Sequence, residues 1–425
     1  MFFIYRSLTF LLFPFFITLI YFRTICKKED PKRFKEKIFS NYFKSNRDFK
    51  KQLIWFHVAS IGELKSILPL IDRINDLNKN INFLITSVTL SSSRLLESKL
   101  DIYSNITHRF FPLDTKSLSR EFLDVWKPDL VCFVDSEIWP NFLFNIKEKK
   151  IPLVLINARI TKKTCDRWKL LPGFSKQIFN SFDLCLASSI DSKNNLAQLG
   201  VKKLTFIGNL KFSTKIKKES LSVSNKKILN NFRVWCAAST HYDEEHIILK
   251  THVEIKKKYN NIITIIIPRH INRVFYIEDL ANKHSLTSQI LNDDEKINSD
   301  KEIIIVNSFG VLLKYFNYCK NIFIGKSLVK KLASVAGQNP IEAAKSGCKI
   351  FHGPYVYNFQ ETYDYLKFYN ISDQVNNHND LSKKIMKNFL NSEKINDKNI
   401  HMLNKYGDKI LEDTISNLNK FIKII

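Results

Sequence analysis

The chain has 425 residues, 44% of them hydrophobic, with 66 Lys and Arg against 41 Asp and Glu for a net charge of +25. Such a length exceeds what one core ordinarily serves and the apolar content fills two, which excludes a globally disordered chain. Seven scattered cysteines without a C-x-x-C pair argue against a disulfide framework or a zinc site and fit a reducing compartment.

Residues Phe2 to Phe22 are apolar and aromatic, interrupted by Arg6, Ser7, Thr9, Pro14 and Thr18. About 21 residues at ~1.5 Å each match a ~30 Å hydrocarbon layer. The segment therefore predicts an N-terminal membrane helix over 1–24, with a monotopic anchor as the alternative because Pro14 can kink it. Arg23-Thr24-Ile25-Cys26 offers no small-x-small cleavage site, which disfavours a signal peptide. A basic juxtamembrane segment, 25–50, follows. Its Lys27, Lys28, Lys32, Arg33, Lys35 and Lys37, with Arg23 before them, outnumber the single preceding Arg6. That asymmetry places the body of the protein in the cytoplasm, with these cations against an anionic membrane surface.

Short apolar runs then alternate with longer amphipathic stretches. LIWFHV (53–58), NFLITS (82–87), LVCFV (130–134), LVLI (153–156) and LCLAS (184–188) read as buried strands with helices between them. That rhythm specifies a parallel sheet covered on both faces. The polar stretch Lys211 to Lys227 reads as a linker. The rhythm restarts with VWCAA (234–238), IITIII (262–267), EIIIV (302–306), NIFIG (321–325) and KIFH (349–352). The expected architecture is α/β with two doubly wound, Rossmann-like domains, 51–212 and 228–396, facing a cleft, closed by a C-terminal helix over 397–425. Ligands of such sheets bind at the carboxyl ends of the strands, so functional residues are sought there.

Glu63 lies just after the first strand, at the opening of a helix. Ser60-x-x-Glu63 is also a capping box, so capping and proton abstraction both remain open for this carboxylate. After LVCFV come Asp135 and Glu137, which admit a D-x-D-like metal site, while Asp135 can equally cap the next helix. IITIII ends in Pro268-Arg269-His270, so an arginine and a helix N-terminus fall where a nucleotide phosphate would be held, although a surface Arg is ordinarily just solvated. Gly337 to Ala344 reads as a helix start with Asn339 as cap, Pro340 first and Glu342 third, a carboxylate that can also grip ribose hydroxyls. No G-x-x-x-x-G-K-[ST], G-x-G-x-x-G, H-E-x-x-H or G-x-S-x-G occurs, which disfavours P-loop ATPases, standard NAD enzymes and the commonest hydrolases. The ten histidines lack metal-ligand spacing, and His57, His241 and His352 read as strand-end hydrogen-bonding residues.

The ordered set KKEDPKRFKEK (27–37), FHVASIGE (56–63), SEIWPN (136–141), NARI (157–160), GNLKF (208–212), ASTH (238–241), PRH (268–270), SLV (327–329) and GQNPIEAA (337–344) resembles the bacterial 3-deoxy-D-manno-octulosonic acid (Kdo) transferase family. The resemblance implies a GT-B glycosyltransferase that inverts the anomeric carbon without metal or other cofactor. It implies CMP-Kdo as donor, a phosphorylated lipid A precursor (lipid IVA) as acceptor, and a place on the cytoplasmic face of the bacterial inner membrane in lipopolysaccharide core synthesis. By the same resemblance Glu63 is the general base, and Glu137 and Lys211 stabilise the transition state. Pro268, Arg269, Phe309, Gly310, Val311, Asn339, Pro340, Ile341 and Glu342 contact CMP.

Four departures stand out. Val311 sits where the family usually has Glu, Gly325-Lys326-Ser327 replaces Gly-Gly-Ser, Lys330 to Ala336 is unusual, and Tyr242-Asp243 follows ASTH where a small residue and Glu are common. Rival readings are a GT-B transferase for another nucleotide sugar, a sugar-nucleotide epimerase, or a membrane-tethered nucleic-acid-binding protein. Against the last, the aromatics are mostly Phe inside apolar runs, and no nucleic-acid module is recognisable.

Overall fold

The computed structural model describes residues 1–100, 103–216, 219–293, 295–391 and 397–425. The chain forms two compact units, one of Met1–Thr214 with Tyr406–Ile425 and one of Lys215–Lys405. The expected domain end at 396 and residues 217–218 of the expected linker lie outside the described residues. The start of that linker is structured: Leu210–Ser213 is a 3-10 turn with Leu210 and Phe212 buried.

The first unit carries β1 (Gln52–Val58), β2 (Ile81–Ser87), β3 (Ile106–Phe110), β4 (Leu130–Val134), β5 (Leu153–Ala158), β6 (Leu184–Ala187) and β7 (Leu204–Phe206). All pair in parallel, in the order β3-β2-β1-β4-β5-β6-β7. The five inner strands are the five runs expected, buried because helices cover both faces. The edges β3 and β7 are additional. Under one face, Trp55 packs in the core with Phe122, Phe133 and Phe142, its ring centroid 5.0, 5.8 and 5.6 Å from theirs. Each such side chain contributes about 1.5–3 kcal/mol by burial.

The second unit repeats the plan with β8 (Arg233–Thr240), β9 (Ile262–Pro268), β10 (Ser288–Leu291), β11 (Ile303–Val306), β12 (Asn321–Ile324), β13 (Lys349–His352) and β14 (Ser372–Gln374). This sheet is also parallel, in the order β10-β11-β9-β8-β12-β13-β14. Its core gathers Trp235, Ile266, Phe323 and Phe351. The strand order reverses between β1 and β4 in the first sheet and between β8 and β12 in the second. Such switch points open a crevice at the carboxyl edge.

The last helix, Asp397–Leu418, begins in the second unit, and its residues from Tyr406 belong to the first. Gly407 is required there, since a Cβ would lie 2.0 Å from the carbonyl oxygen of Phe212.

The N-terminal segment is two helices, Phe2–Leu11 and Phe13–Ile25, in place of the one expected. Among the described residues no single helix is long and apolar enough to cross a membrane, and these two pass that test only as a pair bent by 52°. The break falls at Leu12, and Pro14 sits in the first turn of the second helix, where its missing N–H costs nothing. The first helix is fastened to the body: Phe2 packs on Phe144 at 3.6 Å between centroids, and Arg6 donates to Asn145 at 3.0 Å. The outer faces leave Phe3, Phe10, Leu11, Phe15, Phe22 and Ile25 exposed.

Several cations assigned to the membrane surface have partners within the protein. Arg23 pairs with Glu29 at 2.7 Å, Arg33 with Glu36 at 2.8 Å, and Lys37 with Glu29 at 2.6 Å. Lys37 is buried, and that burial lowers its pKa despite the pair. A buried ammonium left unpaired would cost several kcal/mol, which is why the buried Lys37 is held on Glu29.

Candidate active site

The first unit gathers its acidic residues on the two sides of the β1/β4 switch point. β1 leads into the helix Ile61–Leu77, whose N-cap Ser60 accepts from the Glu63 amide. Glu63 reaches back, Oε2 accepting from the Ala59 amide at 2.7 Å and Oε1 from the Ser60 hydroxyl at 2.8 Å. The capping box is therefore formed. It does not exhaust the carboxylate, because burial first, and then the negative charges of Asp135 and Glu137, raise its pKa to about 7 against the pull of those two hydrogen bonds. A carboxylate tuned to that range and held rigid is suited to take a proton near neutral pH.

From the end of β4, Asp135 adopts φ 64°, a left-handed conformation, and its carboxylate lies 3.6 Å from Lys211 Nζ. It does not cap the helix Pro140–Glu148, as one reading of the sequence allowed. That helix start is held by Asp114, which accepts the amides of Asn141 and Phe142 at 3.1 and 3.0 Å. Glu137 Oε2 accepts from Trp139 Nε1 at 2.8 Å and lies 3.3 Å from His57 Nε2. Burial would raise the Glu137 pKa, but His57 and Trp139 more than offset it and keep the group below the usual range. Two carboxyls on one crevice thus differ in proton affinity, Glu63 near neutrality and Glu137 held as an anion, an arrangement able to separate a proton acceptor from a fixed negative charge. Among the described residues no group of three or more His, Cys, Asp or Glu side chains is disposed to hold a metal ion.

In the second unit the expected residues lie at or beyond the carboxyl ends of β9, β11 and β12. Pro268 ends β9 and Arg269 is exposed just beyond it, its amide donating to Thr240 O at 3.0 Å. His241, after β8, has its pKa lowered to about 4, by burial first and then by Lys326, His270 and Arg269. Arg269 and Lys326 make a cationic rim able to hold a phosphate. Phe309 and Gly310 form an exposed turn beyond β11, with Gly310 at φ 78°. Val311 is buried and lines a cavity of about 200 Å³ with Asn292, Ser308 and Lys314, so its side chain is a wall and not the polar arm that Glu would be.

The helix at the family's NPIE segment is Ile341–Lys345, one residue later than expected, with Pro340 flanking it. Asn339 still satisfies its first turn, Oδ1 accepting from the Ile341 amide at 3.1 Å. The segment joins the β12 loop through Gly337 N to Lys326 O at 2.8 Å. Lys326 adopts a left-handed backbone, φ 60°.

Three supporting residues escape the sequence reading. Glu244 is buried, and its carboxylate accepts four backbone amides: His241 at 3.0, Lys326 at 2.6, Ser327 at 2.8 and Leu328 at 3.1 Å. It ties the β8 turn to the β12 loop across the second switch point. A Glu one residue after Tyr242-Asp243 was the available signal. Asp114, remote in sequence from the helix it caps, gave none, and His57 was read only as a strand-end hydrogen-bonding residue.

Comparison with known proteins bears on this site. The model of the 3-deoxy-D-manno-octulosonic-acid transferase (kdotransferase) family matches residues 32–214. The 3-deoxy-D-manno-octulosonic acid transferase of Rickettsia bellii is 35% identical, the match covering 83% of this chain and 82% of that protein. The corresponding transferase of Haemophilus influenzae is 26% identical over 88% of this chain and 86% of its own. A crystal structure of a glycosyltransferase from Rickettsia africae shares the fold, with a TM-score of 0.59 at 12% identity, covering 88% of this chain and all of that one.

Proposed function

The chain belongs to the 3-deoxy-D-manno-octulosonic acid transferase family, and from that premise we propose that it transfers Kdo from CMP-Kdo to the phosphorylated lipid A precursor lipid IVA, with inversion and without a metal. The observation that carries the reading is Glu63, a carboxylate fixed at the mouth of β1 with its proton affinity raised to about 7.

The acceptor hydroxyl loses its proton to Glu63 as its oxygen bonds to the anomeric carbon, while the bond from that carbon to the CMP phosphate breaks and CMP leaves with the electron pair. Positive charge grows on the sugar and meets the anionic Glu137. Negative charge grows on the leaving phosphate and is met by Arg269 and Lys326, with Lys211 as a further cation at the reacting centre. Preorganised cations of this kind do the work that a metal does in other transferases. Pro268, Phe309, Gly310, Asn339, Pro340, Ile341 and Glu342 shape the CMP site, and Val311 contributes packing.

The enzyme works at the cytoplasmic face of the inner membrane, where the bent helix pair buries its exposed Phe and Leu residues in the lipid interface. Exposed Lys27, Lys28 and Lys32 support contact with anionic headgroups. Nucleic acid is no partner in this reading.

Incubation with CMP-Kdo and tetra-acylated lipid A precursor, read by product mass, tests the proposal. The expected result is addition of Kdo together with thermal stabilisation by CMP above that by UDP or GDP. No product, with no preference for CMP, overturns it.

A further inference from the structure

His57 lies one residue from the carboxyl end of β1, fully buried, and the reaction described above does not use it. Its ring is clamped: it stacks on Phe111 at 3.7 Å between centroids and meets Phe133 edge-on at 5.3 Å and Trp139 edge-on at 6.2 Å. Its Nδ1 lies 3.0 Å from Thr86 Oγ1, and that oxygen accepts from Trp55 Nε1 at 2.9 Å.

The direction of this chain follows from donor chemistry. An indole N–H can only donate, so Thr86 Oγ1 accepts from Trp55 and has one hydrogen of its own to give. Two acceptors are in reach, His57 Nδ1 at 3.0 Å and the Phe56 carbonyl at 3.5 Å. The shorter contact puts the hydroxyl hydrogen on Nδ1, which makes Nδ1 an acceptor and leaves the ring hydrogen on Nε2. That nitrogen faces Glu137 Oε2 at 3.3 Å, the same oxygen that receives Trp139 Nε1 at 2.8 Å. With Nε2 bare, a lone pair would face a carboxylate in a buried setting, which is repulsive.

We propose that His57 is a positioning residue for the transfer reaction: held by the Trp55–Thr86 chain, it presents an Nε2–H that fixes Glu137 through Oε2 and leaves Oε1 for the charge growing on the sugar. The inference rests on the role given to Glu137 under the proposed function. At 3.3 Å the contact to Oε2 is long for a hydrogen bond, and catalytic hydrogen bonds of this kind commonly tighten in the transition state. A group that orients a reacting carboxylate acts on the transition state, so its loss falls on kcat.

Two isosteres separate this role from simple packing. His57→Gln keeps a donor where Nε2 stands and loses the partner of Thr86; His57→Asn does the reverse. The expected result is a kcat for CMP-Kdo transfer lowered roughly 10- to 100-fold by Asn, with Gln restoring at least a tenfold part of that loss, and CMP affinity unchanged in both. Equal kcat in the two variants overturns the proposal. A second measurement needs neither variant nor activity: long-range nitrogen-15 correlation spectra of the histidine-labelled, full-length protein should show the His57 hydrogen on Nε2. A hydrogen on Nδ1 overturns the inference. If the wild-type protein forms no product from CMP-Kdo, the proposed function fails, while the spectrum still decides the ring hydrogen.

Discussion

Tyr5, in the first turns of the chain, donates its phenolic hydrogen to the buried Asp114 at 2.8 Å. The same carboxylate holds the first amides of the helix Pro140–Glu148, directly after Glu137 and Trp139. One acid thus joins the N-terminal helix to the loop that carries a proposed catalytic group. Tyr5→Phe keeps the ring and removes one hydrogen bond, for an expected loss of about 1–2 kcal/mol. Hydrogen exchange should locate the loss in residues 2–11. Asp114→Ala leaves both amides and the phenol unpaired and should cost about 3 kcal/mol, with added exchange at 140–145.

Glu63 gives opposite signs for rate and stability. Only its carboxylate form removes the acceptor proton, so kcat/KM should rise about tenfold per pH unit up to about 7 and then level off. The folded chain keeps that proton to about 7, against an ordinary 4.5, so its contribution to stability is fully present below 4.5 and is lost as pH rises through about 7. Glu63→Gln should lower transfer by roughly 10²- to 10⁴-fold with CMP still bound. Its Tm relative to the parent should improve between pH 5 and pH 8, because the variant escapes the buried charge. Calorimetry at the two pH values checks the sign.

The ten strands legible in the sequence are the five inner strands of each sheet, and the four that were not, β3, β7, β10 and β14, are the four edges. Inner strands are covered on both faces and write themselves as unbroken apolar runs such as IITIII. An edge strand needs far less: Thr205 and Phe206 in β7 are exposed, and Ser372-Asp373-Gln374 in β14 carries no apolar side chain at all. The candidate site was legible where chemistry sits just beyond an inner strand, as with Glu63, Glu137 and Arg269. It was not legible where a distant residue does the supporting, since nothing local in the sequence connects Asp114 with Asn141 or Glu244 with Ser327. The N-terminal segment shows a third case, in which length and hydropathy suit one helix while the break at Leu12 and the bonds of Tyr5 and Arg6 come from packing.

Glu244 offers a test of preorganisation in the second unit. Glu244→Gln is nearly isosteric, but its amino group faces backbone N–H groups that need an acceptor. At least one buried amide then loses its partner, and stability should fall by about 2–3 kcal/mol. Because the freed amides belong to the β12 loop beside Lys326, CMP affinity should fall about tenfold, read by titration calorimetry. A destabilised variant with unaltered CMP affinity would show that the carboxylate serves the fold alone.

Lys326 stands where the family resemblance leads one to expect glycine, and replacing it with glycine should leave two separable marks. Its φ of 60° costs a residue with a Cβ about 1 kcal/mol that glycine does not incur. The turn is nevertheless held in that conformation, by the Lys326 amide on Glu244 at 2.6 Å and its carbonyl receiving Gly337 N at 2.8 Å. Lys326→Gly should therefore raise stability by up to about 1 kcal/mol, less what glycine's freer unfolded chain takes back. The same change removes an ammonium that, after burial, helps lower the His241 pKa to about 4. With one cation fewer, His241 should titrate at higher pH, and CMP should bind more weakly, by roughly three- to tenfold at low salt and less at high salt. Chemical denaturation, histidine titration by NMR and CMP binding at two ionic strengths read the three effects independently. A variant that gains stability and keeps both the His241 pKa and its CMP affinity would place the ammonium outside the phosphate site and leave Arg269 as the cation that holds it.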